Sequence, residues 1–98
     1  NLIHVVINNA AHETVGGLPT VADSIDLVQI AKGCGYPNAV CVNSFEALDL
    51  ALKKAKASEG PSLIEVRAAI GAREDLGRPT TTALENKQNF MKYLAEKE

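Results

Sequence analysis

The chain contains no Trp, two Phe, two Tyr and one Met, although 46% of its 98 residues are hydrophobic. A core poor in aromatics must be built from Val, Ile, Leu and Ala, the set typical of buried parallel strands and the helices that cover them. Apolar runs of the roughly 20 residues needed to span a bilayer are absent, as is a basic-then-apolar leader, so neither a membrane partner nor a secretory signal is expected. Charge of one sign is also lacking. A formal net charge of −2, with scattered Lys and Arg, argues against a nucleic-acid partner. Cys34 and Cys41 are separated by six residues, too far apart for a zinc pair or a thiol redox motif. They read as reduced packing residues of a cytoplasmic protein. The chain also starts at Asn1 rather than Met and enters an apolar run at once, from which a fragment is expected.

Three strand-helix units can be read along the sequence. Leu2 to Ile7 is an apolar run interrupted by His4, which suits a strand covered on both faces, with His4 as a packed histidine. Asp23 and Ser24 are alternative N-caps for a helix carrying Ile25, Leu27, Val28, Ile30 and Ala31 up to Gly33. Ala39 to Val42 predicts a second strand, followed by cap chemistry at Asn43, Ser44 and Glu46. The helix starting at Phe45 places Phe45, Leu48, Ala51, Leu52 and Ala55 on one face. Gly60-Pro61 stops it, and Ser62 to Val66 predicts the third strand. Residues 71–82 form a polar loop, and Leu84 to Ala95 predicts a last helix. The order βαβαβα implies parallel pairing through right-handed crossovers, hence a three-layer αβα sandwich of the α/β class. Three strands alone leave open sheet edges, so more sheet or a partner chain is expected beside them.

The segment between Ile7 and Ser24 lacks periodicity and is longer than an ordinary βα connection, which makes it a candidate functional loop. It leaves the C-terminal end of a buried strand, where open parallel sheets bind their ligands. Paired Gly16-Gly17 would let backbone approach a ligand closely, and amide and carbonyl oxygens suit a hard cation such as magnesium. Asn8-Asn9 alone reads rather as ordinary strand-to-turn chemistry.

Two blocks, falling in order along the chain, resemble the phosphonopyruvate decarboxylases, which are thiamine diphosphate enzymes. The first is Asn9-Ala10-Ala11-His12-Glu13-Thr14-Val15-Gly16-Gly17 with Pro19-Thr20. The second is Leu76-Gly77-Arg78-Pro79-Thr80 followed by Glu85-Asn86-Lys87. Asn8-Asn9 is similar to the closing pair of the thiamine diphosphate motif, whose opening Gly-Asp-Gly is absent here. The resemblance implies that residues 1–98 are the C-terminal part of a diphosphate-binding domain, a partial thiamine diphosphate-binding fold. It also implies decarboxylation of a 2-keto acid bearing a phosphonate, by a homo-oligomer. Sulfopyruvate decarboxylases share the chemistry, so a sulfonate substrate stays open. A non-catalytic α/β module using its free sheet edge is the alternative from another class.

The same resemblance makes the Asn9 side-chain oxygen and the Ala11 carbonyl ligands of the magnesium that bridges the cofactor's diphosphate. Asn8 would shape the turn, and Asn8, Ala11 and His12 would contact the cofactor. His12 and Glu13 are candidates for proton transfer, the alternative being a solvated loop pair. Arg73 and Arg78 offer planar forks for a phosphonate, or pair with the intervening Glu74 and Asp75. Lys87 is a secondary substrate candidate against a solvated helix lysine. Arg67, ending a strand, is expected to leave the sheet into water.

Overall fold

In the computed structural model, which describes residues 1–97, three parallel strands form the central sheet. They are β1 (Ile3–Asn8), β4 (Asn38–Val42) and β5 (Ser62–Arg67), with β5 in the middle. Between β1 and β4 lie two short strands, β2 (Ala11–His12) and β3 (Leu18–Pro19), which pair antiparallel as a small hairpin. Among the described residues there are three α-helices: α1 (Leu27–Gly33), α2 (Phe45–Ala57) and α3 (Ala83–Ala95).

From β1 the chain passes over β5 to reach β4, then returns to β5 through α2. Because the two crossovers run in opposite directions across the sheet, crossovers of one hand put their helices on opposite faces. Packing shows this. Ala31 of α1 lies against Ala39 and Leu63 on one face, whereas Ala55 of α2 lies against Val42 and Ile64 on the other. The expected three-layer arrangement is therefore present, with Ile64 as its most deeply buried large side chain.

Local chemistry explains the element ends. The Asp26 carboxylate accepts from the Gln29 N–H, which starts α1 three residues later than a Ser24 start would. Ala22–Ser24 is instead a single 3-10 turn. Ser44 caps α2 through the Ala47 N–H, as its position predicts. Thr82 and Glu85 form a full capping box on α3, and the Thr82 backbone N–H holds the Glu85 carboxyl below its ordinary range.

Coverage departs from expectation at β1 and α3. Val5 and Ile7 are exposed on the α2 side of β1, because α2 sits over β4 and β5. His4 is likewise exposed rather than packed. Phe45 begins α2 but is 88% exposed, since the helix's buried side is carried by Leu48, Ala51, Leu52 and Ala55. Helix α3 leaves Leu84, Phe90 and Met91 exposed and contributes no buried residue. Among the described residues no helix is long and apolar enough to cross a membrane.

Ile64 and Phe45 thus make a direct comparison of burial with mere hydrophobicity. Ile64→Ala should lower the unfolding free energy of this chain by about 2–5 kcal/mol, the range for emptying a filled core site. Phe45→Ala should change it by less than about 0.5 kcal/mol. Urea titration followed by circular dichroism checks both, and equal losses would contradict this assignment of the core.

Candidate functional site

The chemistry of the first loop begins with the conformation of three residues. At the end of β1, the Asn8 Oδ1 accepts from the Ala10 N–H at 3.0 Å. One residue on, the Asn9 Oδ1 accepts from the Ala11 N–H at 3.1 Å. Two consecutive side-chain turns of this kind curl the backbone tightly, and Ala10 takes a left-handed φ of 58°, unusual for a residue with a Cβ. The Thr20 N–H then donates to the Ala10 carbonyl at 2.9 Å, tying the return strand of the hairpin to the turn.

This curl opens a hollow of about 580 Å³ lined by Asn8, Asn9, Ala10, Ala11 and His12 on one side and by Thr20, Val21, Ala22 and Ile25 on the other. The structure therefore brings together Asn8, Asn9, Ala11 and His12, the residues expected to meet a cofactor and metal. The sequence expectation for Gly16 and Gly17 is corrected. Their positive φ values of 86° and 74° build the turn between β2 and β3, and neither lines the hollow.

Glu13 points elsewhere, its carboxylate accepting from the Gly71 N–H and tethering the polar loop that follows β5. Arg73 lies on that loop and pairs with Asp75 at 3.4 Å, both side chains largely in solvent. Arg78 and Lys87 are exposed, and none of the three lines the hollow. The structure links this loop to the site through Glu13 and Gly71, and leaves its cations outside.

A second group of residues, unforeseen as a site, lies directly beneath. Glu65, in the central strand, is only 6% exposed. The Asn8 Nδ2 donates to its Oε1 at 2.8 Å, and the Arg67 Nη1 stands 3.6 Å from the same oxygen. That nitrogen also donates to the Asp23 Oδ1 at 2.9 Å. Arg67 accordingly does not simply leave the sheet into water. The buried Asn8–Glu65 bond is the strong member, since a hydrogen bond to a charged group contributes about 1.5–3 kcal/mol. With both side chains partly in water, the Arg67–Asp23 pair is worth about 0–1 kcal/mol. One signal was available in sequence: a glutamate inside the apolar run Leu63-Ile64-Glu65-Val66 requires a partner if the strand is central.

Metal chemistry can be judged from the donors. Among the described residues no group of three or more His, Cys, Asp or Glu could hold an ion. The oxygens available at the turn are neutral, the Asn9 amide and the Ala11 carbonyl. Magnesium takes such oxygens readily when phosphate and water complete its shell. The hydrogen bond from Ala11 N–H does not exclude Asn9, because an amide oxygen carries two lone pairs. The residues present fit a magnesium diphosphate better than a free cation. At the opposite end of the sheet, a hollow of about 280 Å³ includes Lys32, Lys54 and Ser62, but none of the residues from either sequence block.

Similarity to known proteins extends over most of the chain. The model for the thiamine pyrophosphate enzyme C-terminal TPP binding domain matches residues 1–66. The chain is 34% identical over 94 residues to a phosphonopyruvate decarboxylase of Streptomyces viridochromogenes, covering 96% of this chain. It is 33% identical over 96 residues to that of Streptomyces hygroscopicus, covering 98% of this chain. In both cases it spans 24% of the relative's length. No solved structure matches it.

The Glu65 charge has a reporter in Cys41, a free cysteine next to it in the sheet. Partial burial first, and then the Glu65 carboxylate, push the Cys41 thiol above its ordinary value. Removing the charge by Glu65→Gln should lower that value, raise the thiolate fraction and speed alkylation of Cys41 at fixed pH. Iodoacetamide labelling in a Cys34→Ser background measures this, and an unchanged rate would contradict the proximity.

Proposed function

Because the chain belongs to the thiamine pyrophosphate enzymes through their C-terminal TPP binding domain, we propose that it forms the C-terminal part of the diphosphate-binding domain of a thiamine diphosphate and magnesium-dependent 2-keto acid decarboxylase. The substrate proposed is 3-phosphonopyruvate, giving phosphonoacetaldehyde and carbon dioxide, as the names of the two Streptomyces relatives suggest. The observation that carries the reading is the convergence of Asn8, Asn9, Ala11 and His12 in one hollow at the C-terminal end of β1. There the curled turn presents neutral oxygens without a carboxylate cluster, which favours a metal arriving with its own anionic ligand.

When bound, thiamine diphosphate supplies an electron sink for the charge left by the departing carbon dioxide. The chain's own residues bind and orient. The Asn9 Oδ1 and the Ala11 carbonyl would hold magnesium, Asn8 would fix the turn, and His12 would move a proton at the rim of the hollow. Glu13, held by Gly71, is the second proton-transfer candidate and brings the arginine loop beside the site. Arg73 and Arg78 would take the phosphonate, with Lys87 as a secondary contact. Exchanging Asp75 for a phosphonate costs Arg73 little, since an exposed ion pair is worth only about 0–1 kcal/mol. The reading extends to a homo-oligomer in the cytoplasm, supported by the exposed apolar side chains of α3 and by two free cysteines suited to a reducing compartment.

In the intact protein that carries this chain, Asn9→Ala should weaken thiamine diphosphate binding by about tenfold or more, most strongly at low magnesium, since a ligand oxygen is lost. Calorimetric titration at several magnesium concentrations tests this, and an unchanged dissociation constant removes Asn9 from the metal shell.

Substrate choice is tested separately. Arg73→Ala or Arg78→Ala should lower kcat/KM for phosphonopyruvate by about ten- to a hundredfold, the worth of a charge-assisted contact, while sparing any residual rate with pyruvate. Equal losses on both substrates would assign the arginines to structure alone.

A further inference from the structure

The loop between β1 and α1 is fastened at both of its ends to one strand. At its start, the Asn8 Nδ2 donates to the Glu65 Oε1 at 2.8 Å. At its end, the Asp23 carboxylate accepts from the Arg67 Nη1 at 2.9 Å. Glu65 and Arg67 are joined to each other at 3.6 Å, and both belong to β5, the central strand of the sheet. We propose that Glu65 and Arg67 are positioning residues, which clamp the two ends of the 8–23 loop so that its Asn8–Ala11 turn is set for a magnesium diphosphate before one arrives.

Burial separates the two contacts in strength. Asn8 and Glu65 are 7% and 6% exposed, so the Asn8 amide cannot exchange its partner for water without cost. Orientation then follows from the two ends of one side chain. An amide whose nitrogen is committed to a carboxylate must turn its oxygen the other way, and that oxygen accepts the Ala10 N–H. Ala10 is the residue held at a left-handed φ of 58°. Glu65 thereby selects the amide orientation that fixes Ala10, although it does not line the hollow itself. A ligand shell held ready in this way saves the cost of ordering it on binding. The far clamp is more exposed, with 42% and 63% side-chain accessibility for Arg67 and Asp23, and is a weaker, salt-sensitive tether.

This inference rests on the cofactor reading above, so its test has two readouts, both on the intact protein. The first is hydrogen exchange of the Ala10 amide without cofactor, and the second is the dissociation constant of thiamine diphosphate with magnesium. Glu65→Leu should speed Ala10 exchange and weaken cofactor binding by about tenfold or more, as for loss of a buried charge-assisted bond. Glu65→Gln keeps an acceptor for Asn8 in nearly the same shape, so it should fold as the parent does and give a smaller loss on both readouts. Asp23→Ala should cost no more than about fivefold, the ceiling for an exposed pair. Adding Asn8→Ala to Glu65→Leu should weaken binding no further than Asn8→Ala alone, because Glu65 acts through Asn8. Parental Ala10 exchange in Glu65→Leu, or penalties that multiply in the double variant, would overturn the positioning role. Faster exchange with parental cofactor affinity in both Glu65→Leu and Asn9→Ala would overturn the proposal together with the reading beneath it.

Discussion

A carboxylate in the central strand of a parallel sheet is the constraint on which the site depends. Glu65 has neighbours on both sides in the sheet and almost no water, so its oxygens must be met by donors from adjoining elements or the strand would carry an uncompensated charge. The nearest donors are Asn8 across the ladder and Arg67 two residues on. Satisfying the glutamate thus decides where β1 ends, which way the Asn8 amide faces and where the chain re-enters the fold at Asp23. The polar demand of one buried group becomes the geometry of an exposed loop.

The rest of the fold serves that arrangement through packing. Ile64, beside Glu65 but on the opposite face, locks β5 under α2, and Leu63 locks it under α1 with Ala31 and Ala39. Alternation along β5 therefore puts Leu63 and Glu65 on the α1 face and Ile64 on the α2 face. Small residues dominate the helix contacts, which lets both helices lie close to the strands without aromatic side chains.

The strands and helices were legible because their signals are local: apolar runs of strand length, Ser44 as a cap, and Gly60-Pro61 as a stop. The 11–19 hairpin was not, since two-residue strands carry no periodicity and its register is set by Gly16 and Gly17 at the turn. The start of α1 was misplaced because Asp23, Ser24 and Asp26 are all competent caps, and pairing with Arg67 removed Asp23 from the competition. Asn8, Asn9, Ala11 and His12 were singled out through the resemblance, Asn8-Asn9 alone being ordinary turn chemistry, and in the fold they line one hollow. Glu65 and Arg67 were not tied to them, because the link spans 57 residues between Asn8 and Glu65 and exists only once β1 and β5 are paired. Arg78 and Lys87 belong to the second block of the resemblance and Arg73 was chosen for its planar fork, not by any local rule of structure. All three are exposed, and the loop that carries the arginines is tied to the first loop by the contact between Glu13 and Gly71.

The central claim is that the Asn8–Ala11 turn, set by β5, receives a magnesium diphosphate through neutral oxygens. A crystal structure of the intact protein with thiamine diphosphate and magnesium tests it most directly. The account predicts the ion at about 2.0–2.1 Å from the Asn9 Oδ1 and the Ala11 carbonyl oxygen, the magnesium–oxygen distance, with the Asn8–Glu65 hydrogen bond retained. An ion bound elsewhere, or an Asn8 amide turned away from Glu65 in the loaded protein, would contradict it.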